Sequence, residues 1–349
     1  KIAIMDMVDA KCADQWFANV AEVLGDRKPD YLIISHLEPD HSANLGDVLA
    51  KYPDIKIVSN AKLFGMLPNF FEVPVADRSV TVAEGQTLSL GSHTLQFFMA
   101  PMVHWPEVMV TYEQREKILF SADAFGKFGT LDTDEDWACE ARRYYFNIVG
   151  KYGMPAQALL KKAAGLDIQK ICALHGPILT ENLEYYIGKY QLWSTYTPCL
   201  LYTSDAAGIF IAYCSLHGNT EKAAKKLAEI LEAKGAPKVA ISDLSRDDMA
   251  ECIEDAFRYD RLVLAAPTYD GGVMPVMADF INHLKMKAYQ KRKVAFIENG
   301  SWAPMAAKLM KEQMSAMKDI EIVDEHVTIR SAFKQSDVAA LEALAGKLL

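Results

Sequence analysis

The stretch SHLEPDHSANL, residues 35–45, follows a short apolar run, YLIIS, that predicts a buried strand. Four ionisable side chains stand within six positions of it: His36, Glu38, Asp40 and His41. Alternate residues of an extended chain point to the same side, so His36 and Glu38 can reach one ion. The turn at Pro39 can then direct Asp40 and His41 toward a second position. Because such a cluster is costly to bury without a metal or partners, the stretch predicts a metal site.

Three further candidate ligands end other predicted strands or loops: His104 in MVHWPE, Asp123 in FSADAFG and His175 in LHGP. Imidazoles with several carboxylates suit iron or another divalent ion of intermediate hardness, whereas all-thiolate sites would look different. The alternative for an isolated Asp at a strand end is a helix cap or a turn. Isolated histidines are more often surface residues, and we assign no role to His93, His283 and His326.

The bulk composition predicts an ordinary globular protein of two domains. A chain of 349 residues exceeds the usual size of a single core. Hydrophobic residues make up 51% and charged residues 24%, which is the usual balance. The net charge of −9 argues against a nucleic-acid partner or an anionic membrane surface. No apolar run approaches the roughly 18 residues of a membrane span, and no secretory signal is visible.

The six cysteines are scattered, and no two of them form a CxxC pair. This pattern predicts reduced, mostly buried thiols and a cytoplasmic location. It also argues against a thiolate zinc site and against a fused rubredoxin-type iron module.

The predicted domains are residues 1–200 and 207–349, divided by the irregular run TPCLLYTSDAA, residues 197–207. In the first, the runs 80–88 and 94–99 predict hairpin strands with Gly91 in the turn. The chain begins at Lys1 with a strand-like run, so we expect that the first strands of this domain are missing or belong to another segment.

The second half alternates strands and helices regularly. Its predicted strands lie near 208–214, 237–242, 260–266, 292–298 and 319–323. Its predicted helices lie near 219–234, 247–256, 275–287, 303–317 and 336–348. Five strands separated by helices predict a doubly wound parallel sheet.

The loop after the first of these strands has the residues of an anion cradle at a helix N-terminus: Ser215, Leu216, His217, Gly218, Asn219 and Thr220. There is no GxxxxGK[ST] motif, so the phosphate of a nucleoside triphosphate is not indicated. Small hydroxyl residues without a lysine suit a phosphate monoester. The alternative is a plain helix cap.

Two further loops follow the third and fourth strands. The first comprises Pro267, Thr268, Tyr269, Asp270, Gly271 and Gly272, and the second Asn299, Gly300, Ser301 and Trp302. Ligands of open α/β sheets bind at the carboxyl ends of the strands, beside the topological switch point. These loops, with the aromatic residues Tyr269 and Trp302, can hold a flat aromatic ring.

The runs SHLEPDHSANL, MAPMVHWPE, LFSADAFGKFG, ARRYYFNIVGKYG and LHGPIL resemble, in order, the metallo-β-lactamase-like domain of flavodiiron proteins. Zinc hydrolases of this fold usually carry a second histidine where Glu38 stands. The second half resembles a flavodoxin domain that binds FMN. The resemblance implies an α/β fold, with an N-terminal αββα sandwich followed by a flavodoxin-like doubly wound parallel sheet.

The resemblance also implies site roles. His36, Glu38 and His104 would hold one iron ion. Asp40, His41 and His175 would hold the other, with Asp123 bridging, although in some members the histidine at the position of His41 turns away from the metal. Ser215, His217, Asn219 and Thr220 would bind the FMN phosphate. The residues expected to line the ring are Thr268, Tyr269, Gly271, Asn299, Gly300 and Trp302.

The implied activity is reduction of dioxygen to water, of nitric oxide to nitrous oxide, or of both. A flavin stores two electrons and two Fe(II) ions supply one each, which makes the four that dioxygen requires. Two electrons at the irons suffice to couple two nitric oxide molecules. The resemblance further implies a head-to-tail homodimer, extended in some cases to a tetramer, and a separate electron donor such as rubredoxin or reduced coenzyme F420.

Two other functions stay open on the sequence. One is a zinc hydrolase with an attached flavodoxin domain, against which Glu38 speaks. The other is a flavin electron carrier with a structural first domain, against which the complete set of metal-ligand candidates speaks. The preferred oxidant depends on groups around the ligands, for which Trp105, Phe125 and Tyr144 are candidates.

Overall fold

A computed structural model describes residues 1–132, 136–196 and 207–349. Contacts divide the chain into two compact units, residues 1–141 with 152–194 and residues 142–151 with 195–349. Residues 197–206 of the predicted boundary lie outside the described residues, so the boundary stays a prediction. Among the described helices, none is both long enough and apolar enough to cross a bilayer.

The first unit begins with a parallel sheet of four strands in chain order: β1 (Ala3–Met5), β2 (Tyr31–Ile33), β3 (Lys56–Asn60) and β4 (Ser79–Val82). The connections contain four helices: α1 (Ala13–Leu24), α2 (Pro39–Ser42), α3 (Leu45–Lys51) and α4 (Ala61–Met66). A second sheet has the order β5 (Thr87–Ser89), β6 (Thr94–Met99), β7 (Met109–Glu113), β8 (Ile118–Phe120) and β9 (Lys170–Cys172). Its pairs are antiparallel except β8–β9, which is parallel.

The apolar run of β2 is buried on both faces because alternate side chains enter different cores. Leu32 packs in a cluster with residues of α3 and α4, such as Val48. Ile33 packs in a cluster with Phe97 and Met109 of the second sheet. The two sheets therefore share a core, and helices cover the outer face of the first sheet.

The prediction of one strand over residues 80–88 was wrong. This stretch forms two strands that belong to different sheets. β4 pairs in parallel with β3, whereas β5 forms the predicted hairpin with β6. Gly85, which has a φ of +73°, lies in the turn between them. That left-handed backbone conformation suits glycine and ends the first strand.

The remaining helices before residue 196 are α5 (Trp137–Tyr144), α6 (Gly153–Ala163) and α7 (Leu183–Ser194). The helical path of α5 continues as a wider π-type turn over Tyr145–Val149. By their contacts, residues 142–151 belong to the second unit. There the Phe146 ring stacks on Phe257, with centroids 4.3 Å apart.

The second unit contains the parallel sheet β11-β10-β12-β14-β15, which is the predicted doubly wound arrangement. Its strands are β10 (Ile209–Tyr213), β11 (Val239–Asp243), β12 (Arg261–Tyr269), β13 (Gly272–Val273), β14 (Arg292–Asn299), β15 (Ile320–Ile322) and β16 (Val327–Ile329). The short strands β13 and β16, which were not predicted, pair with β12 and β14. The helices are α8 (Asn219–Ala233), α9 (Met249–Arg258), α10 (Pro275–Met286), α11 (Ala306–Ser315) and α12 (Val338–Leu348).

The core of the second unit explains why its strands are nearly all apolar. Ile209, Ile211 and Val263 of the central strands share one buried cluster with Leu227 of α8 and Leu341 of α12. Because helices cover the sheet, its strands are buried, and polar and apolar residues do not alternate along them. Because β10, β12 and β14 are parallel, the loops that follow them lie at the same edge of the sheet. Ligands of such folds bind at that edge.

Candidate metal centre and cofactor pocket

The stretch that follows β2 is anchored by the end of β1. The backbone N–H of Ser35 donates to Asp6 Oδ1 at 2.6 Å. The backbone N–H of Asp6 donates to Ile33 O at 2.9 Å, and that of Met7 to His41 O at 3.0 Å. Asp6, which is 3% exposed, therefore fixes the start of the stretch while Met7 fixes its other end. No role for Asp6 was predicted from the sequence.

The turn predicted at Pro39 is the start of a helix. Pro39 occupies the first turn of α2, where its missing N–H costs no hydrogen bond. The Ser42 hydroxyl donates to Leu37 O at 2.7 Å, which closes the stretch on itself. This bend places Asp40 and His41 away from the extended pair His36 and Glu38.

The structure brings His36, Glu38, His104 and Asp123 together, with one ligand atom of each within 4.8 Å of the others. Glu38 Oε2 lies 3.3 Å from His36 Nε2 and 3.0 Å from His104 Nε2. Asp123 Oδ2 lies 3.5 Å from His36 Nε2 and 3.4 Å from His104 Nε2. These four side chains come from three separate parts of the sequence.

A second group consists of Asp40, His41 and His175, and one ligand atom of each lies within 4.8 Å of the others. Asp40 Oδ2 lies 3.3 Å from the Nε2 atoms of both His41 and His175. The two Nε2 atoms are 3.2 Å apart, which suits two lone pairs directed at one cation. Asp40 Oδ1 is buried and has no hydrogen-bond partner among the described residues. The group therefore fits a metal ion.

Asp123 lies between the two groups. Its Oδ2 faces the first group, whereas its Oδ1 lies 3.3 Å from His41 Nε2 and 3.5 Å from His175 Nε2. The side chain is 1% exposed, so this carboxylate is buried among four imidazoles. One carboxylate with an oxygen toward each group can contribute a ligand to an ion in each of them.

The carboxylates and imidazoles of the site stabilise one another's charged forms. Contacts with His104 and then His36 lower the pKa of Glu38 to about 2. Burial opposes the charging of His104, but hydrogen bonds with Asp123 and Glu38 outweigh it and raise its pKa to about 9. Carboxylates that hold protons on neighbouring imidazoles can instead hold a dication, and metal binding releases those protons.

Two residues next to the metal ligands contact His36 directly. Glu107, which sequence analysis missed, is 1% exposed, and its Oε1 lies 2.8 Å from His36 Nδ1. The one feature of the sequence that could have indicated Glu107 is its position three residues after His104. The predicted neighbour Trp105 has its ring centroid 4.9 Å from that of His36. Phe125 instead packs on Tyr190, with centroids 4.4 Å apart. Tyr144 is buried in the segment that belongs to the second unit.

In the second unit the three predicted loops surround a cavity of about 620 Å³, within the usual range for small-molecule sites. The predicted residues that line it are Ser215, Leu216, His217, Asn219, Thr220, Pro267, Thr268, Asp270, Gly271, Asn299, Gly300, Ser301 and Trp302. Gly218, Tyr269 and Gly272 are not in the lining. Ala303, Ser331 and Ala332 also line the cavity and were not predicted.

Ser331 and Ala332 belong to a fourth loop, which follows β16. This loop is tied to the end of β14 because Asn299 Nδ2 donates to Ser331 O and Ser331 N donates to Asn299 Oδ1. Since β16 was not predicted as a strand, its loop could not be assigned to the carboxyl edge of the sheet.

The loop after β10 fits a phosphate group. Gly218 has a φ of +76° and immediately precedes α8, whose first N–H groups have no partner within the helix. Ser215 lines the cavity, and its Oγ is buried without a hydrogen-bond partner among the described residues. An unpartnered hydroxyl beside a helix N-terminus can donate to a phosphate oxygen.

Comparison with known proteins identifies the two domains of the chain. Residues 1–176, just over half of the 349, match the model of the ODP family beta lactamase, and residues 210–337 match a flavodoxin domain. A nitric oxide reductase from Moorella thermoacetica is 28% identical over 93% of this chain and 81% of its own. The chain spans only 51% of the length of a longer relative from Nostoc sp..

Solved structures show the same fold. The rubredoxin oxygen:oxidoreductase of Desulfovibrio gigas aligns with a TM-score of 0.90 at 24% identity, over 99% of this chain and 86% of its own. A flavodiiron protein from Giardia intestinalis aligns with a TM-score of 0.89 at 21% identity, over 99% and 85% of the two chains. The pairing of the two matched domains implies FMN and a diiron centre as cofactors. The chain belongs to the ODP family of beta-lactamase-like proteins and, with its flavodoxin domain, is a flavodiiron protein.

Proposed function

We propose that this flavodiiron protein reduces dioxygen to water, nitric oxide to nitrous oxide, or both, with electrons relayed through FMN. The coarser activity, that of a diiron flavoprotein oxidoreductase, follows from its family and relatives. The observation that carries the proposal is the position of Asp123, whose two oxygens face two separate groups of metal-ligating atoms. Such a site can present two metal ions to one small oxidant.

The proposal assigns each group of residues to one cofactor. Bound iron and FMN together supply the four electrons that dioxygen requires, or the two that couple nitric oxide. His36, Glu38 and His104 would hold one ion, and Asp40, His41 and His175 the other. Asp123, with one oxygen toward each group, would contribute a ligand to both ions. The loops around Ser215 and Asn299 would hold the phosphate and ring of FMN.

The names of two relatives support both oxidants. The Moorella protein is named a nitric oxide reductase, and the Desulfovibrio protein is named for rubredoxin and oxygen. We propose a separate electron donor, either a rubredoxin or reduced coenzyme F420, and a head-to-tail homodimer that places the flavin of one subunit beside the irons of the other. We also propose a cytoplasmic location, as the scattered cysteines predict.

The test is Asp123→Ala, measured as anaerobic and aerobic turnover with a chemically reduced donor. We expect unchanged FMN content, loss of bound iron and loss of both dioxygen and nitric oxide reduction. Asp54→Ala, which changes an exposed aspartate before β3, is the matched control and should keep full turnover. Unchanged turnover in Asp123→Ala would refute the diiron site. Hydrolysis of a thioester or lactam by zinc-loaded protein would instead favour a hydrolase.

A further inference from the structure

Glu107 is held in one position behind the metal-binding face of His36. It is 1% exposed and precedes β7. Its Oε1 accepts a hydrogen bond from His36 Nδ1 at 2.8 Å and another from the Leu37 backbone N–H at 3.1 Å. Its own backbone oxygen accepts from Asn60 Nδ2 at 2.7 Å. Both the main chain and the side chain of Glu107 are therefore fixed.

This contact determines which nitrogen of His36 can bind a metal. A carboxylate only accepts hydrogen bonds, so the proton must be on Nδ1. The lone pair is then on Nε2, the atom that lies 3.3 Å from Glu38 and 3.5 Å from Asp123. The same contact fixes the plane of the ring and increases its basicity as a ligand.

The contact acts on one metal position. Glu107 contacts His36, a member of the first group, and contacts neither Asp40 nor His41 among the described residues. Among the same residues, neither His41 nor His104 has a carboxylate at Nδ1. Removing Glu107 therefore disturbs His36 and leaves the ligands of the second group in place.

A second observation concerns the other oxygen of Glu107. Its Oε2 is buried and has no hydrogen-bond partner among the described residues. A buried carboxylate with an unsatisfied oxygen is costly unless positive charge lies close by. A dication held by His36 in the first group would supply positive charge close to this carboxylate.

We propose that Glu107 is a positioning residue that orients His36 and raises the metal affinity of the first position, formed by His36, Glu38 and His104, more than that of the second. The proposal rests on the diiron site proposed above. It predicts that loss of the Glu107 carboxylate affects one of the two ions.

The test uses the full chain with FMN bound, stripped of metal by chelation and titrated anaerobically with Co²⁺ and, separately, Fe²⁺. We expect two equivalents in the wild type. Glu107→Gln, which keeps the shape but not the charge, should weaken one equivalent by about 10- to 100-fold and leave the other unchanged. Glu107→Ala should weaken the same equivalent further. The Co²⁺ ligand-field bands of that equivalent should shift in Glu107→Gln.

The matched control is Glu113→Gln. Glu113 is also buried, at 5% exposure, but its carboxylate accepts from the backbone N–H groups of Arg115 and Glu116. This variant should bind both equivalents as the wild type does. Two wild-type affinities in both Glu107 variants, or equal weakening of both equivalents, would overturn the positioning role while leaving the diiron site intact. A wild type that binds neither metal would overturn the proposed function as well.

Discussion

Replacing Ser215 by Ala tests the phosphate end of the flavin pocket through a single atom. Ser215 Oγ is buried, faces the cavity and has no hydrogen-bond partner among the described residues. A hydrogen bond from this hydroxyl to a phosphate oxygen contributes about 1.5 to 3 kcal/mol. Its loss should therefore weaken FMN binding by about 10- to 150-fold. The FMN-free protein should lose no stability, because there the hydroxyl makes no hydrogen bond to lose.

The assay is fluorescence titration of flavin into the FMN-free protein, with FMN and riboflavin compared. Riboflavin lacks the phosphate, so Ser215→Ala should not change its Kd. Ser245→Ala, an exposed serine of the same unit outside the cavity lining, is the control and should leave both constants unchanged. An unchanged Kd for FMN, or an equal loss of affinity for both flavins, would refute the assignment of this loop to the phosphate.

Three further predictions concern stability. A Cβ added at Gly208 would lie 2.6 Å from Cδ1 of the buried Tyr259 ring, so Gly208→Ala should destabilise the protein by about 1 to 3 kcal/mol. A Cβ added at Gly346 in α12 meets nothing within 4 Å, so Gly346→Ala should instead stabilise the protein by about 0.5 to 1 kcal/mol. Urea unfolding measures both changes, and a stabilised Gly208→Ala or a destabilised Gly346→Ala would contradict the corresponding prediction. Burial, with a contribution from Glu254, raises the pKa of Asp255 from 3.8 to about 7. Between these two pH values the Asp255 carboxyl is deprotonated in the unfolded chain and protonated in the folded chain. The stability of the folded protein should therefore fall as pH rises from about 4 to 7. Asp255→Asn should remove this pH dependence, measured by thermal unfolding.

The metal ligands could be predicted because their sequence signal is local. His36, Glu38, Asp40 and His41 lie within six residues, at the end of a strand whose apolar run is evident. His104, Asp123 and His175 were candidates because they end other predicted strands or loops. Only the resemblance assigned each of them to a metal position, since no spacing rule places three distant loops at one point. The structure brings all seven together, in two groups with Asp123 between them.

The supporting residues could not be predicted in the same way. Glu107 is 71 positions from His36, and a single Glu after Trp-Pro carries no signal of its own. Asp6 supports the stretch only because β1 and β2 are neighbours in the sheet, which requires the topology. Their contacts are products of tertiary structure, which local patterns do not encode.

The second unit was easier to predict because its strands and helices alternate cleanly. The errors there come from short elements. β16 has three residues, too few for a periodic pattern, and its omission hid the loop that carries Ser331. In the first unit, Val82 and Leu88 both suited a strand, and the turn at Gly85 that separates two sheets was not recognised.

The central claim is that one chain carries both a diiron site and FMN. The most direct test is the content of iron, zinc and FMN per chain in protein purified without oxygen from cells grown in iron-replete medium. We predict about two irons and one FMN per chain. Zinc in place of iron, retained under those growth conditions, would contradict the claim and favour the hydrolase.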